Sequence, residues 1–186
     1  MSSTSGGAGS NNVEAMINIP LSDRAAVRFV GYSDNQGGWI DNASGTFTPS
    51  GEVIDRNNSA GYGPFFGDFP LTTIQSASNA DLAEDDWNEA KYNGFRVAAS
   101  YDFNDEWSGL LTHMSQEIDV EGSFLVDPSL GDEKSQKFVP EHNLDEFDIT
   151  TWTLEGRLAN LDVVYTGGYI DREVDALIDY THYNNG

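Results

Sequence analysis

Chemistry in a protein chain needs titratable or nucleophilic groups held at particular spacings, and the candidates in these 186 residues are mostly carboxylates. The acidic runs Glu84-Asp85-Asp86, Asp132-Glu133 and Asp145-Glu146 offer oxygens to Ca²⁺, or to Ca²⁺ bridging an anionic surface. Calcium takes roughly six to eight oxygens at defined positions, and no twelve-residue hand-type loop is present. Solvated loop charge accounts for the runs more simply. His113, His142 and His182 are widely spaced and make no H-E-x-x-H or i, i+4 pair, so no metal site is expected. The absence of cysteine removes thiol nucleophiles, disulfides and Cys-based zinc sites. No spacing nominates one carboxylate pair for glycoside hydrolysis, and no G-x-S-x-G, P-loop or dinucleotide fingerprint appears. The chain therefore does not read as an enzyme, and no cofactor is expected.

Two other groups point to binding rather than catalysis. The segment "GYGPFFGDFP" (residues 61–70) concentrates Tyr62, Phe65, Phe66 and Phe69 among glycine and proline. Rings on a stiff loop offer ligand contact at low entropic cost. The plainer alternative is a loop that packs its rings on itself. The second group is Arg28, Arg96, Glu155, Arg157 and Asp162, mid-strand charges expected to face a lumen, on faces of small and polar side chains except for Arg28, which shares its face with Val30 and Tyr32. Charge tolerated on one face implies water or a protein plug against it; in a soluble protein it would be the solvent face of a sheet.

The elements that position these residues are strands. Apolar residues recur mostly at a period of two, and only residues 79–92 (NADLAEDDWNEAKY) suggest a short helix. Six runs read as strands: 13–19, 24–33, 93–103, 107–118, 147–158 and 161–171. They join as three hairpins through Pro20-Leu21-Ser22-Asp23, Asn104-Asp105-Glu106 and Ala159-Asn160, all short and polar. The opposite connections, 34–92 and 119–146, are long and rich in Gly, Pro, Asn, Asp and Glu, and the chain before 13 and after 172 reads as two more. Long loops sorted to one side are unusual for a compact soluble domain and usual for outer-membrane barrels.

The strand faces agree with that reading. Phe95, Val97, Ala99, Tyr101 and Phe103 oppose Arg96, Ala98, Ser100 and Asp102. Leu161, Val163, Tyr165 and Tyr169 oppose Asp162, Val164 and Thr166. A tilted strand of about 10 residues crosses hydrocarbon. Tyr101, Phe103 and Trp107 gather by a short turn, and Tyr32, Tyr92, Phe147 and Tyr169 toward the long loops, which predicts two interfacial aromatic belts. No run of apolar residues is long enough for a transmembrane helix, and the start "MSSTSGGAGSNN" lacks the regions of a signal peptide. With 9 basic against 31 acidic residues and a net charge of −22, nucleic acid is not a partner.

The ordered series "VEAMINIPLSDRAAVRFVGYSDNQGGWIDN" and "SYDFNDEWSGLLTHMSQE" resembles the N-terminal barrel strands of TonB-dependent outer-membrane receptors. The terminal "DYTHYNNG" is similar to the tail of an extracellular loop in that family. The resemblance implies an all-β, antiparallel up-and-down meander forming part of a transmembrane β-barrel, about six strands with long extracellular loops. It implies that residues 1–186 are a barrel fragment with no plug domain, located in the bacterial outer membrane. Its implied partners are outer-membrane lipid, the plug and remaining barrel strands, TonB acting indirectly through the plug, and a scarce small-molecule ligand such as a siderophore, vitamin or glycan. The competing expectation is a soluble, secreted, acidic all-β module that binds carbohydrate or calcium.

Overall fold

The computed structural model describes residues 1–3, 6–48 and 76–181. Six long antiparallel strands run in chain order across one open sheet: β1 (Gly9–Ser22), β2 (Ala25–Gln36), β3 (Ala90–Asp102), β4 (Trp107–Glu121), β5 (His142–Leu158) and β6 (Leu161–Leu177). The two-residue strand Ser2–Ser3 adds to the free edge of β1. β6 pairs only with β5, so the sheet is not closed. There is no α-helix among the described residues. The fold is therefore all-β and an up-and-down meander.

All six expected strands are present, and most run further than the sequence pattern predicts. β5 and β6 each span 17 residues, beginning or ending well inside segments that read as loop. Their extra residues are mostly polar (Asn143, Asp145, Glu146, Glu173, Asp175), with Leu144, Val174, Ala176 and Leu177 among them, so hydrophobic periodicity reports them weakly. Paired backbone supplies the stabilisation instead, because β5 is flanked by strands on both sides along its length. The first turn is tighter than expected: β1 continues through Pro20 and Ser22 with a bulge, and only Asp23 and Arg24 turn. The short helix expected within 79–92 is absent. Turns and an isolated bridge from Asn42 to Glu84 take its place, with Asp86 at φ 57°. Side chains tie this segment to residues 39–45 instead: Asn88 and Asn79 accept the N–H groups of Trp39 and Gly45, and Asp41 accepts the Asp86 N–H.

Directly paired residues point to the same face, so the ladder sorts every side chain. One face carries Trp107 and Trp152 with Ile17, Val27, Phe29, Phe95, Val97, Leu111 and Tyr165; the other carries Arg28, Arg96, Arg157 and Arg172. We call these the tryptophan and arginine faces. The first changes character halfway along the strands. Toward the short turns the tryptophan face is apolar, and toward the long loops it carries Glu117, Asp119, Glu146, Asp148, Asp171, Glu173 and Asp175. The arginine face is mixed along its length, with Ser100, Asp102, Glu155 and Asp162 beside Leu110 and Val164 near the turns, and Met114, Ile118, Ile149 and Ile170 beside Asp145 and Arg172 further up.

Rings lie over glycines on neighbouring strands. Trp152 covers its register partner Gly167, Trp107 covers Gly156 and Phe103 covers Gly109 on the tryptophan face. Tyr32 covers Gly94 on the arginine face. A methyl group on Gly167 would lie 2.6 Å from the Trp152 ring, closer than atoms can approach. Glycine in these strands makes room for an aromatic neighbour rather than for a bend.

The expected upper aromatic belt needs correction. Tyr32, Tyr92 and Phe147 sit on the arginine face, and only Tyr169 shares the tryptophan face. Its companions there are Phe29 and Phe95, whose rings stack at 6.2 Å between centroids. The turn-end group is Tyr101, Phe103, Trp107 and Tyr165, with Tyr101 and Phe103 edge to face at 5.2 Å.

Candidate functional site

The sheet has no apolar core of its own. Among the described residues the buried apolar side chains are Ile40, Phe47, Trp87 and Ala90; the first three lie in the connection between β2 and β3, and Ala90 opens β3. Above the strand ends the long connections fold into one cluster. Asp41–Asn42 pairs in parallel with Lys134–Ser135, joining the β2–β3 connection to the β4–β5 connection, and Thr46–Phe47 pairs with Ala77–Ser78. The Phe47 ring meets Phe138 edge-on at 6.1 Å.

Three buried asparagines pin the cluster. Asn42 Nδ2 donates to the carbonyls of Leu82 (2.8 Å) and Lys137 (3.3 Å), while its Oδ1 accepts the Lys137 N–H (2.8 Å). Asn79 Nδ2 donates to Ala43 (2.9 Å) and Lys137 (3.0 Å), and its Oδ1 accepts the Gly45 N–H (2.6 Å). Asn88 Oδ1 accepts the N–H groups of Trp39 (2.8 Å) and Ile40 (2.7 Å). An amide side chain both donates and accepts, so it can replace ladder hydrogen bonds where chains meet irregularly. In sequence they look like loop polarity: Asn42 and Asn79 have no large apolar neighbour, and only Asn88 follows one, Trp87.

The chain leaving β6 joins the same cluster. Buried Glu141 pairs with Lys137 at 2.8 Å and accepts the Asp179 N–H at 2.8 Å. Asp179 in turn accepts the N–H groups of Phe138 (2.6 Å) and Thr181 (2.7 Å). Burial by itself raises the Asp179 pKa, but these hydrogen bonds and the nearby Lys137 outweigh it and hold the carboxyl below its ordinary value.

The five mid-strand charges share one face, as their spacing predicts. Arg157 and Asp162 are register partners joined at 2.9 Å, and Glu155 lies one step further along β5. Arg28 donates from Nε to Asn18 at 2.7 Å, and Arg96 lies between Val30 and Met114. The arginine face is concave at the turn end, where the hairpin turns and β5–β6 enclose about 770 Å³ lined by Asp23, Arg24, Asp102, Glu155, Arg157 and Asp162. A further pair of charges, one of them in the acidic run Asp145-Glu146, lies on this face. Asp145 and Arg172, on the same face near the loops, form a bidentate pair at 2.8 and 2.5 Å. Both fall within segments that read as loop or strand end.

Tyr62, Phe65, Phe66 and Phe69 lie outside the described residues. His113 contacts Thr150 at 3.0 Å and His142 lies 3.6 Å from Asp175, while His182 also lies outside the described residues. Among the described residues no group of three or more His, Asp or Glu side chains converges as metal ligands do. The arrangement builds a charged wall under a folded cluster of connections.

No family model, curated protein or solved structure matches the chain.

Proposed function

We propose that this chain is part of an outer-membrane β-barrel of the TonB-dependent receptor class, which takes up a scarce ligand. In this reading the turn half of the tryptophan face meets lipid, the arginine face lines the interior, and the cluster of connections stands outside the cell. The observation that carries it is the apolar turn half of the tryptophan face, which no other element among the described residues covers. Ile17, Phe29, Leu111, Tyr165 and Tyr169 are all solvent-exposed, and a protein sheet leaves such a surface bare only where another apolar medium covers it.

Dimensions support the same orientation. From Phe103 to Phe95 is eight residues, about 27 Å along the strand and about 21 Å across a bilayer at the usual ~40° tilt. That approaches the ~25 Å apolar band of outer-membrane barrels. The carboxylates begin immediately beyond Phe95 and Tyr169. Strand burial at the loop end falls on Ala90 and Asp145, both on the arginine face, as it does when connections fold inward over a barrel mouth.

Fluorescence quenching by lipids brominated on their acyl chains tests the assignment. In a variant keeping Trp152 alone (Trp39, Trp87 and Trp107→Phe), quenching in liposomes is expected, and a variant keeping only Trp87 stays unquenched. A cooperative melt of the lipid-free, detergent-free monomer would instead favour a soluble binding module, with added sugar or Ca²⁺ raising the transition.

A further inference from the structure

The β4–β5 connection contains a second feature that the barrel reading does not use. Phe124, Leu125 and Val126 are consecutive and 56, 70 and 44% exposed. Their exposure is not an edge effect, because β4 and β5 are both interior strands of the sheet. Nor is their segment loosely held. The Gly122 N–H donates to Glu141 O (2.9 Å) just before them, and the Asp127 N–H donates to Lys134 O (2.7 Å) just after. Asp127 also accepts from the N–H and hydroxyl of Ser129 (2.9 and 2.7 Å), and Leu130 N–H returns to Asp127 O (3.0 Å). Three apolar side chains are thus presented to water by a backbone tied at both ends, which lowers the entropy lost when they are covered.

The surroundings select the occupant. Asp119, Glu121, Asp132 and Glu133 flank the ridge in sequence; of the nearby cations, Lys134 lies 3.9 Å from Asp41, and Lys91, the register partner of Asp119, is paired with Glu89 at 2.6 Å. The whole chain carries −22, so an anionic partner is repelled before contact. We propose that Phe124-Leu125-Val126 is a docking ridge for a cationic amphipathic peptide, whose apolar side chains cover the ridge while its lysines or arginines face the flanking carboxylates. This rests on the outward placement of the connections for its access, but not on the barrel for its chemistry.

The test uses the full chain in liposomes and, separately, in lipid-free buffer. The probes are two fluorescent synthetic peptides of equal charge, one alternating Lys and Leu and one alternating Lys and Ser. The Lys–Leu peptide is expected to bind the wild type about tenfold more tightly than the F124S/L125S/V126S variant, and the Lys–Ser peptide to bind both weakly and alike. The conservative F124L/L125M/V126I variant retains binding. Equal binding of the Lys–Leu peptide by wild type and serine variant, or equal binding of the two peptides by the wild type, overturns the ridge. Incorporation into liposomes is scored on the same samples. A chain that incorporates without discriminating peptides loses only the ridge, and one that discriminates without incorporating loses only the barrel.

Discussion

Single residues decide whether the connections hold together. Asn42 serves four backbone or side-chain partners from a buried position, and an alanine there takes away the bonds to the Lys137 N–H and the Leu82 carbonyl, while the Lys137 carbonyl keeps its bond from Asn79. Each such loss costs about 1–3 kcal/mol. Asn42→Ala is expected to speed limited proteolysis between residues 122 and 141 while β3 to β6 stay protected, as mapped by mass spectrometry. Asp179 makes the same contact sensitive to acid. Because its folded-state pKa is depressed, its contribution is fully present above the unfolded value of about 3.9 and is lost as pH falls through the folded value. Protection of the Phe138 amide from hydrogen exchange should therefore decline below about pH 4, and Asp179→Asn should lower it already at pH 7. None of this was legible in the sequence. Asparagine and aspartate in a glycine-rich stretch look alike whether they face water or carry a buried network, and only the meeting of residues 42, 79 and 137 separates the two.

At the scale of the strand, alternation is the controlling variable, and it was legible. The faces of β3 and β6, and the common side of Arg28, Arg96, Glu155, Arg157 and Asp162, follow from the period of two. What did not follow was strand length. The upper parts of β5 and β6 are polar on both faces in places, so only a weak hydrophobic signal marks them, and Tyr32, Tyr92 and Phe147 were counted by height without regard to face. The alternation predicts a sharp contrast between neighbouring positions. Val97→Arg puts a cation mid-band on the tryptophan face and is expected to cost about 2–4 kcal/mol in lipid. Ala98→Arg, one residue along, joins Arg28 and Arg96 on the other face and is expected to be tolerated. Urea titration of the two variants folded in liposomes distinguishes them; equal destabilisation would contradict the assignment of faces.

Across the whole sheet, two long edges have no strand partner over most of their length among the described residues. β6 presents 17 residues of backbone on one side, with Thr166, Gly168 and Ile170 at its centre. An edge of that length is a template for another strand. With these edges open the chain is expected to associate with rising concentration, seen by sedimentation velocity in detergent. Val164→Lys with Thr166→Lys should reduce it, because charge along an edge opposes further pairing.

The rings seated over glycines have a consequence for assembly. A slip of one residue turns every side chain to the wrong face and is rejected at once. A slip of two preserves both faces and passes that check. It would, however, move Trp152 from Gly167 onto Tyr165 or Tyr169, and Trp107 from Gly156 onto Leu154 or Leu158. Ring and gap work as lock and key along β4, β5 and β6, so the only alignment in which all the indoles find room is the native one.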